Sequence, residues 1–312
     1  MSVYSRVGFR VRAKHIDCPL TYEKKTLTKS TRIIRELSQS EPPHSRRALL
    51  GQQLCELGDP RPGVGVTPDG LPDIDWLPVP EGTMQVSEQS FEVHVFYIAR
   101  YPITHRQFQA FLDDPAGYTN PVWWEDLSLQ HREPEEQPQP FDNHPRSHVS
   151  WYDATAFCRW LTSQLHPSSS EIGSRIRIQG WQVRLPTEWE WLQAAIGDNP
   201  DYRYPWGTDW QENFTQPIAD AEDGTTAVGL YPHGQSPVGA MDMCSNLWEW
   251  CLNEYDSPAH TDIRGNRRRA MRGGRWTFDR EVGTSLLERD FQLGPYVRTG
   301  DTGFRISCCP SE

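Results

Sequence analysis

No apolar run in this sequence approaches the ~20 residues that a helical bilayer crossing needs, so no membrane span is expected. The opening stretch MSVYSRVGFRVRAKH lacks the apolar segment of a secretory signal, which makes the cytoplasm the expected compartment. None of the seven cysteines (Cys18, Cys55, Cys158, Cys244, Cys251, Cys308 and Cys309) stands in a CxxC pair, which argues against a structural zinc. An odd count without a signal peptide argues against a disulfide framework as well. The nucleophile elbow GxSxG, the P-loop and the zincin motif HExxH are all missing. Apolar residues are scarce, at 36%, so the core has to draw its area from large side chains, of which the 13 tryptophans are the clearest supply. The 23 glycines and 26 prolines favour short strands, turns and long loops over a helix bundle.

What charge there is lies unevenly. The net charge is -11, yet residues 1–60 hold 11 Lys/Arg against 6 Asp/Glu. The acidic remainder disfavours nonspecific binding of nucleic acid, and the basic head suits docking on an acidic partner or on the body itself.

The chain divides into a basic segment with a turn-rich lead-in, 1–73, and a main domain, 74–312. A loose alternation of Val3, Val7, Phe9 and Val11 predicts a short strand. Residues 43–58 place Ala48, Leu49, Leu54 and Leu57 near one helical face, with Gly51 as a weak point. WLPVPEGTMQV and FEVHVFYIARYPI alternate as a hairpin would. Helices are predicted after Thr104, from Ser150 to about Leu165, and from Thr187 to about Ile196. The last two begin with capping-box spacings, Ser150 to Asp153 and Thr187 to Glu190. Cys158 falls in an apolar helix pattern and reads as a core residue. Val228 to Tyr231 reads as a short strand. Hairpin, helices, long loops and terminal strands together give an α+β class with small antiparallel sheets, two main helices and much irregular loop.

Near the C-terminus, residues 272–305 read RGGRWTFDREVGTSLLERDFQLGPYVRTGDTGFR. Glycine, arginine and an aromatic mark both ends, and no helical or strand period runs between them. Such a stretch reads as a surface held out between two anchored strands.

The ordered set RYPIT (100–104), HPRSHVSWYDATAFCRWL (144–161), RLPTEWEWLQAA (184–195), YPWG (204–207), SPVGAMDMCSNLWEW (236–250), RGGRW and GFR resembles the formylglycine-generating-enzyme (sulfatase-modifying factor) superfamily, from about Pro78 to Arg305. The resemblance implies a variant of the C-type lectin fold. The lead-in before it resembles segments that precede such domains in bacterial proteins. Three kinds of function follow from it: copper-dependent formylglycine generation, iron-dependent sulfoxide synthesis, and ligand binding without catalysis in the variable proteins of diversity-generating retroelements.

Formylglycine enzymes hold copper with two cysteines shortly after the paired glycines. Those positions fall near Phe278 and Gly283, and neither is Cys. For iron, His144 and His148 have an i,i+4 spacing, but Pro145 lies between them and no carboxylate follows usefully. Glu188 and Glu190 read as capping and packing residues beside Trp189 and Trp191. The resemblance also implies a structural calcium held by Asp242, the carbonyls of Ser245 and Leu247, and Glu249; oxygen-only ligands suit that ion. The family has glycine where Ser245 stands. The alternative is that the two carboxylates bond backbone or arginine groups.

The expected function is therefore noncatalytic ligand binding, with no cofactor required and a diversified C-terminal surface. The alternative is a metal-dependent (iron or copper) oxygenase or sulfatase-modifying-factor-like enzyme. Trp276, Arg289, Pro295, Arg298 and GFR keep the family frame. The presented side chains would be Arg275, Thr277, Phe278, Asp279, Glu281, Phe291, Gln292, Leu293, Tyr296, Val297, Thr299 and Asp301. In variable proteins, template adenines are replaced. Thr, Phe, Asp, Leu, Tyr and Val are reachable from AAC codons in that way, and Arg275 from AGC. Glu281 and Gln292 would need other codons. The expected partner is a protein or other macromolecule, and aromatic anchors such as Phe278, Phe291 and Tyr296 suit one.

Overall fold

The computed structural model describes residues 19–39, 41–128, 133–138, 141–165, 180–216, 224–274, 286, 289 and 294–311, with side chains from residue 28 onward. The strand expected around Val3 to Val11 lies outside them. Two helices come first, α1 (Pro19–Gln39) and α2 (His44–Glu56). Gly51 does not break α2. A Cβ there would stand 3.0 Å from the Ala227 Cβ and 3.1 Å from Leu230 Cδ1, so glycine lets the helix approach the body closely. Leu50 and Leu54 on α2, with Ile33 and Leu37 on α1, bury against Ala227, Leu230 and Tyr231. The stretch from Val228 to Tyr231 is therefore a docking surface for this hairpin. It forms no strand. The apolar residues that suggested a strand serve burial instead.

The lead-in is tied down by Arg61, which pairs with Asp59 at 2.6 Å and donates to the Val228 carbonyl at 2.7 Å. Four strands follow: β1 (Trp76–Val79), β2 (Gly82–Val86), β3 (Gln89–Val93) and β4 (Phe96–Ala99). The expected single hairpin is split. β2 pairs with β3 across a tight turn whose Ser87 has φ +57°, while β1 pairs with β4 in a different sheet.

α3 (His105–Asp113) starts at Thr104, α4 (Trp151–Gln164) at Ser150 and α5 (Glu188–Ile196) at Thr187, each with a complete capping box. Each box satisfies two backbone donors that the helix start leaves open, and an N-cap of this type is worth about 1 kcal/mol. Among the described residues there are five α-helices, three of them in the body, where the sequence suggested two main ones.

β5 (Trp181–Arg184), β6 (Trp248–Glu254), β7 (Arg269–Arg272), β8 (Thr302–Gly303) and β9 (Ser307–Pro310) complete the sheets. The orders are β1-β4-β9-β5, β2-β3 and β7-β6-β8. Pairing is antiparallel except that the short β8 runs parallel to β6. The C-terminal strand thus lies inside its sheet, between β4 and β5.

The core is aromatic, as the composition requires. Phe108, Phe111 and Trp160 pack with Phe157, and Phe304 of the GFR motif sits 5.4 Å from the Phe157 ring. Cys158 is buried there, and burial pushes its thiol well above the ordinary range. The six described cysteines are free thiols, while Cys18 lies outside the described residues. No helix among the described residues is long and apolar enough to cross a membrane.

Candidate functional site

β7 ends at Gly273-Gly274, with φ +107° and +78°. Ser245 N donates to the Gly273 carbonyl at 2.7 Å, and a Cβ on Gly273 would stand 3.2 Å from the Leu247 carbonyl oxygen. Glycine is favoured here because the dihedral is one that other residues rarely adopt and a Cβ would crowd the Leu247 carbonyl. The chain is described again continuously from Gly294, and Pro295, Thr299 and Asp301 accept backbone bonds from Trp151, His148 and Trp248.

Four arginines fasten this frame to three carboxylates of the body, Glu188, Asp153 and Glu249. Arg272 Nε lies 2.7 Å from Glu188 Oε1, and Arg272 Nη1 donates to the Leu286 carbonyl at 2.6 Å. Arg289 grips both oxygens of Glu188, at 2.5 and 2.8 Å, and lies 4.3 Å over the Tyr255 ring. Arg298 grips both oxygens of Asp153, at 2.7 and 2.9 Å. Arg305 grips both oxygens of Glu249, each at 2.9 Å, with neither side chain exposed. Paired forks of this kind fix orientation as well as distance. Burial alone would raise the Glu188 pKa, but Arg272 and Arg289 outweigh it and hold the carboxyl below its ordinary value.

Of the residues expected to present themselves, Tyr296 projects, with 61% exposure. Val297 is half-buried and its N–H closes a turn onto the Gly294 carbonyl at 3.0 Å. Thr299 and Asp301 are half-buried and bond to each other, Oγ1 donating to Oδ1 at 2.6 Å. Arg275, Thr277, Phe278, Asp279, Glu281, Phe291, Gln292 and Leu293 lie outside the described residues.

The donor set suggested for calcium is committed elsewhere. Glu249 has both oxygens on Arg305, and Oε2 also accepts from the Trp191 indole at 2.7 Å. Asp242 Oδ2 accepts from Gly229 N at 2.7 Å. A hard cation wants several free oxygens, and a guanidinium already takes the charge of Glu249, so these residues do not fit a calcium ion. The backbone and arginine alternative describes the geometry. Burial pushes the Asp242 carboxyl up to about 6.

The two histidines considered for iron turn to different neighbours. His144 Nδ1 lies 3.2 Å from Thr225 Oγ1, and burial pulls its pKa down to about 4. His148 Nδ1 meets Ser147 Oγ at 3.0 Å. Among the described residues no group of three or more His, Cys, Asp or Glu side chains is gathered as a metal site.

From sequence alone, Glu188 and Asp153 pass for capping or packing residues, and their role as anchors goes unnoticed. Glu188 carried a usable signal: Thr187 and Glu190 already complete the box, so a second buried glutamate at the helix start needs another partner. Leu286, in the middle of the tract, is also buried in the core, and no periodicity in the sequence marks it.

The model of the sulfatase-modifying factor enzyme 1-like domain matches residues 67–308. The chain belongs to this family. Hercynine oxygenase of Mycobacterium tuberculosis is 28% identical over 255 residues, covering 69% of this chain and 53% of that protein. Formylglycine-generating enzyme of Thermomonospora curvata is 27% identical over 243 residues, covering 63% of this chain and 69% of that protein. The chain spans about half the length of the hercynine oxygenases it matches. Among solved structures, Treponema denticola variable protein 1 superposes with a TM-score of 0.54 at 20% identity, covering 76% of this chain and 95% of that one. At that identity the likeness is one of fold. The sulfatase-modifying factor family thus accounts for the fold; the relatives also include inactive C-alpha-formylglycine-generating enzyme 2 of Bos taurus, 34% identical over 142 residues, covering 42% of this chain and 38% of that protein.

Proposed function

We propose that this chain is a noncatalytic ligand-binding protein. It presents a diversified C-terminal surface on a C-type lectin-like scaffold, in the manner of retroelement variable proteins. The observation that carries this reading is the frame. Arg272, Arg289, Arg298 and Arg305 each pair with a carboxylate at most 2% exposed. Fixed anchors at both ends and within the tract leave the intervening side chains free to vary. The absence of cysteine at the two positions after the paired glycines supports it, because a soft thiolate pair is what suits Cu(I). The ligand is a protein or other macromolecule met by Tyr296 and the tract residues, in the cytoplasm, without a required cofactor.

The test is the DNA around the 3′ end of the gene. A near-copy repeat differing only at adenines, next to a reverse transcriptase gene, is expected; absence of both overturns the reading. The second reading, an iron- or copper-dependent oxygenase, draws on the identity to hercynine oxygenase and formylglycine-generating enzyme. Metal analysis of purified protein decides it. Near-stoichiometric iron or copper would favour that enzyme, and its lack would remove it.

A further inference from the structure

A groove of about 430 Å³ lies between α2 and the body, lined by α2, Phe141, His144, Gln216 and residues 225–227. Its volume falls in the range of small-ligand sites. Leu49 on α2 is 44% exposed and Phe141 is 39% exposed, and both line this one groove although they come from different elements. Single exposed apolar residues are ordinary, but two converging on a concave site mark a place for an apolar surface. The Phe141 and His144 ring centroids lie 4.9 Å apart, which makes one wall aromatic.

The rest of the described lining is polar. Gln216, Thr225 and Thr226 are buried, and His44, Ser45 and Gln52 stand on the α2 side, with His44 Nδ1 against the Tyr231 hydroxyl. Among the described residues no Asp, Glu, Lys or Arg lines the groove, although these make up 23% of the chain. His144 adds no charge at neutral pH, since burial holds its pKa near 4. Against these described residues a charged ligand would lose its hydration without gaining a carboxylate, ammonium or guanidinium counter-ion.

We propose that this groove binds a small uncharged aromatic molecule bearing a hydrogen-bonding group. Its ring lies against Leu49 and Phe141, and its polar edge meets Thr225 and Gln216. Because the walls belong to both α2 and the body, an occupant also fastens the helical hairpin in place. The site is separate from the arginine-held frame, so it stands or falls independently of the reading above.

Benzamide, benzoate and benzamidine share a ring and a size but differ in charge, which makes them suitable probes. Titrations followed by protein-observed NMR should show saturable benzamide binding, with both charged analogues at least about tenfold weaker. Phe141→Ala, at an exposed position, should weaken benzamide at least about tenfold while leaving the melting temperature unchanged. Bound benzamide should also slow amide exchange in α2. The proposal is overturned if benzamide shows no saturable binding, if the three probes bind equally, or if Phe141→Ala leaves benzamide binding as it was.

Discussion

The C-terminal frame and the N-terminal helical hairpin are both fastened to the same body, but by different physics. The hairpin uses apolar stripes: Ile33, Leu37, Leu50 and Leu54 bury against Ala227, Leu230 and Tyr231. Helical periodicity allows this, because one face can be apolar along its whole length. The frame has no period and cannot bury a stripe. It is held instead by four arginines, each gripping a carboxylate of the body. Directional contacts can hold irregular backbone at a few points and leave the side chains between them unspecified. That difference suits a surface whose side chains are replaceable.

The comparison can be broken most sharply at Arg305. Arg305→Ala leaves Glu249 buried without its counter-ion, and the expected loss is about 3–5 kcal/mol in urea denaturation. Glu188→Gln should cost about 3 kcal/mol, since it withdraws the charge shared by Arg272 and Arg289. It also carries a pH signature. Burial opposes the Glu188 charge, but its two arginines prevail, so the folded pKa lies below the unfolded value. The contribution is then complete above the ordinary carboxylate value of 4.5 and is lost as pH falls through the folded one. Glu188→Gln should therefore flatten the acid limb of the stability curve; an unchanged limb would show that Glu188 is not the anchor.

In the hairpin, Leu54→Ala should cost about 2 kcal/mol, at the low end for a buried leucine, because the helices can lift from the body as a unit. Amide exchange should rise in α1 and α2 and stay constant in β6 and β9. Equal acceleration everywhere would mean that hairpin and body unfold together. The smallest effect belongs to Tyr296→Ala, which should change stability by no more than about 0.5 kcal/mol, since the side chain is 61% exposed. The same variant should weaken partner binding.

What could be read from the sequence was what is encoded locally. Ser150 and Thr187 mark helix starts because a cap and its partner lie three residues apart, and Thr104, read only as a helix start, has the same spacing to Gln107. The tryptophan-rich composition pointed to an aromatic core, and the glycine–arginine–aromatic bookends marked the frame. What could not be read depends on distant partners. Arg289, Arg298 and Arg305 meet carboxylates 101, 145 and 56 residues away in sequence, and nothing local pairs them. Gly51 looked like a weakness because the side chains it makes room for, Ala227 and Leu230, are equally remote. α1 was missed because its apolar stripe is thin and set among charged residues. Val228 to Tyr231 misled because a docking surface and a strand ask for the same residue types.

The central claim is that the frame, and not the tract between its anchors, specifies the C-terminal fold. The most direct measurement keeps Arg272, Arg289, Leu286, Arg298 and Arg305, randomises Tyr296, Val297 and the tract positions from Arg275 to Leu293 that were expected to face a ligand, and records melting temperatures across the library. Most members should unfold cooperatively within about 4 °C of the parent. General loss of cooperative unfolding would contradict the account and show that the tract is core.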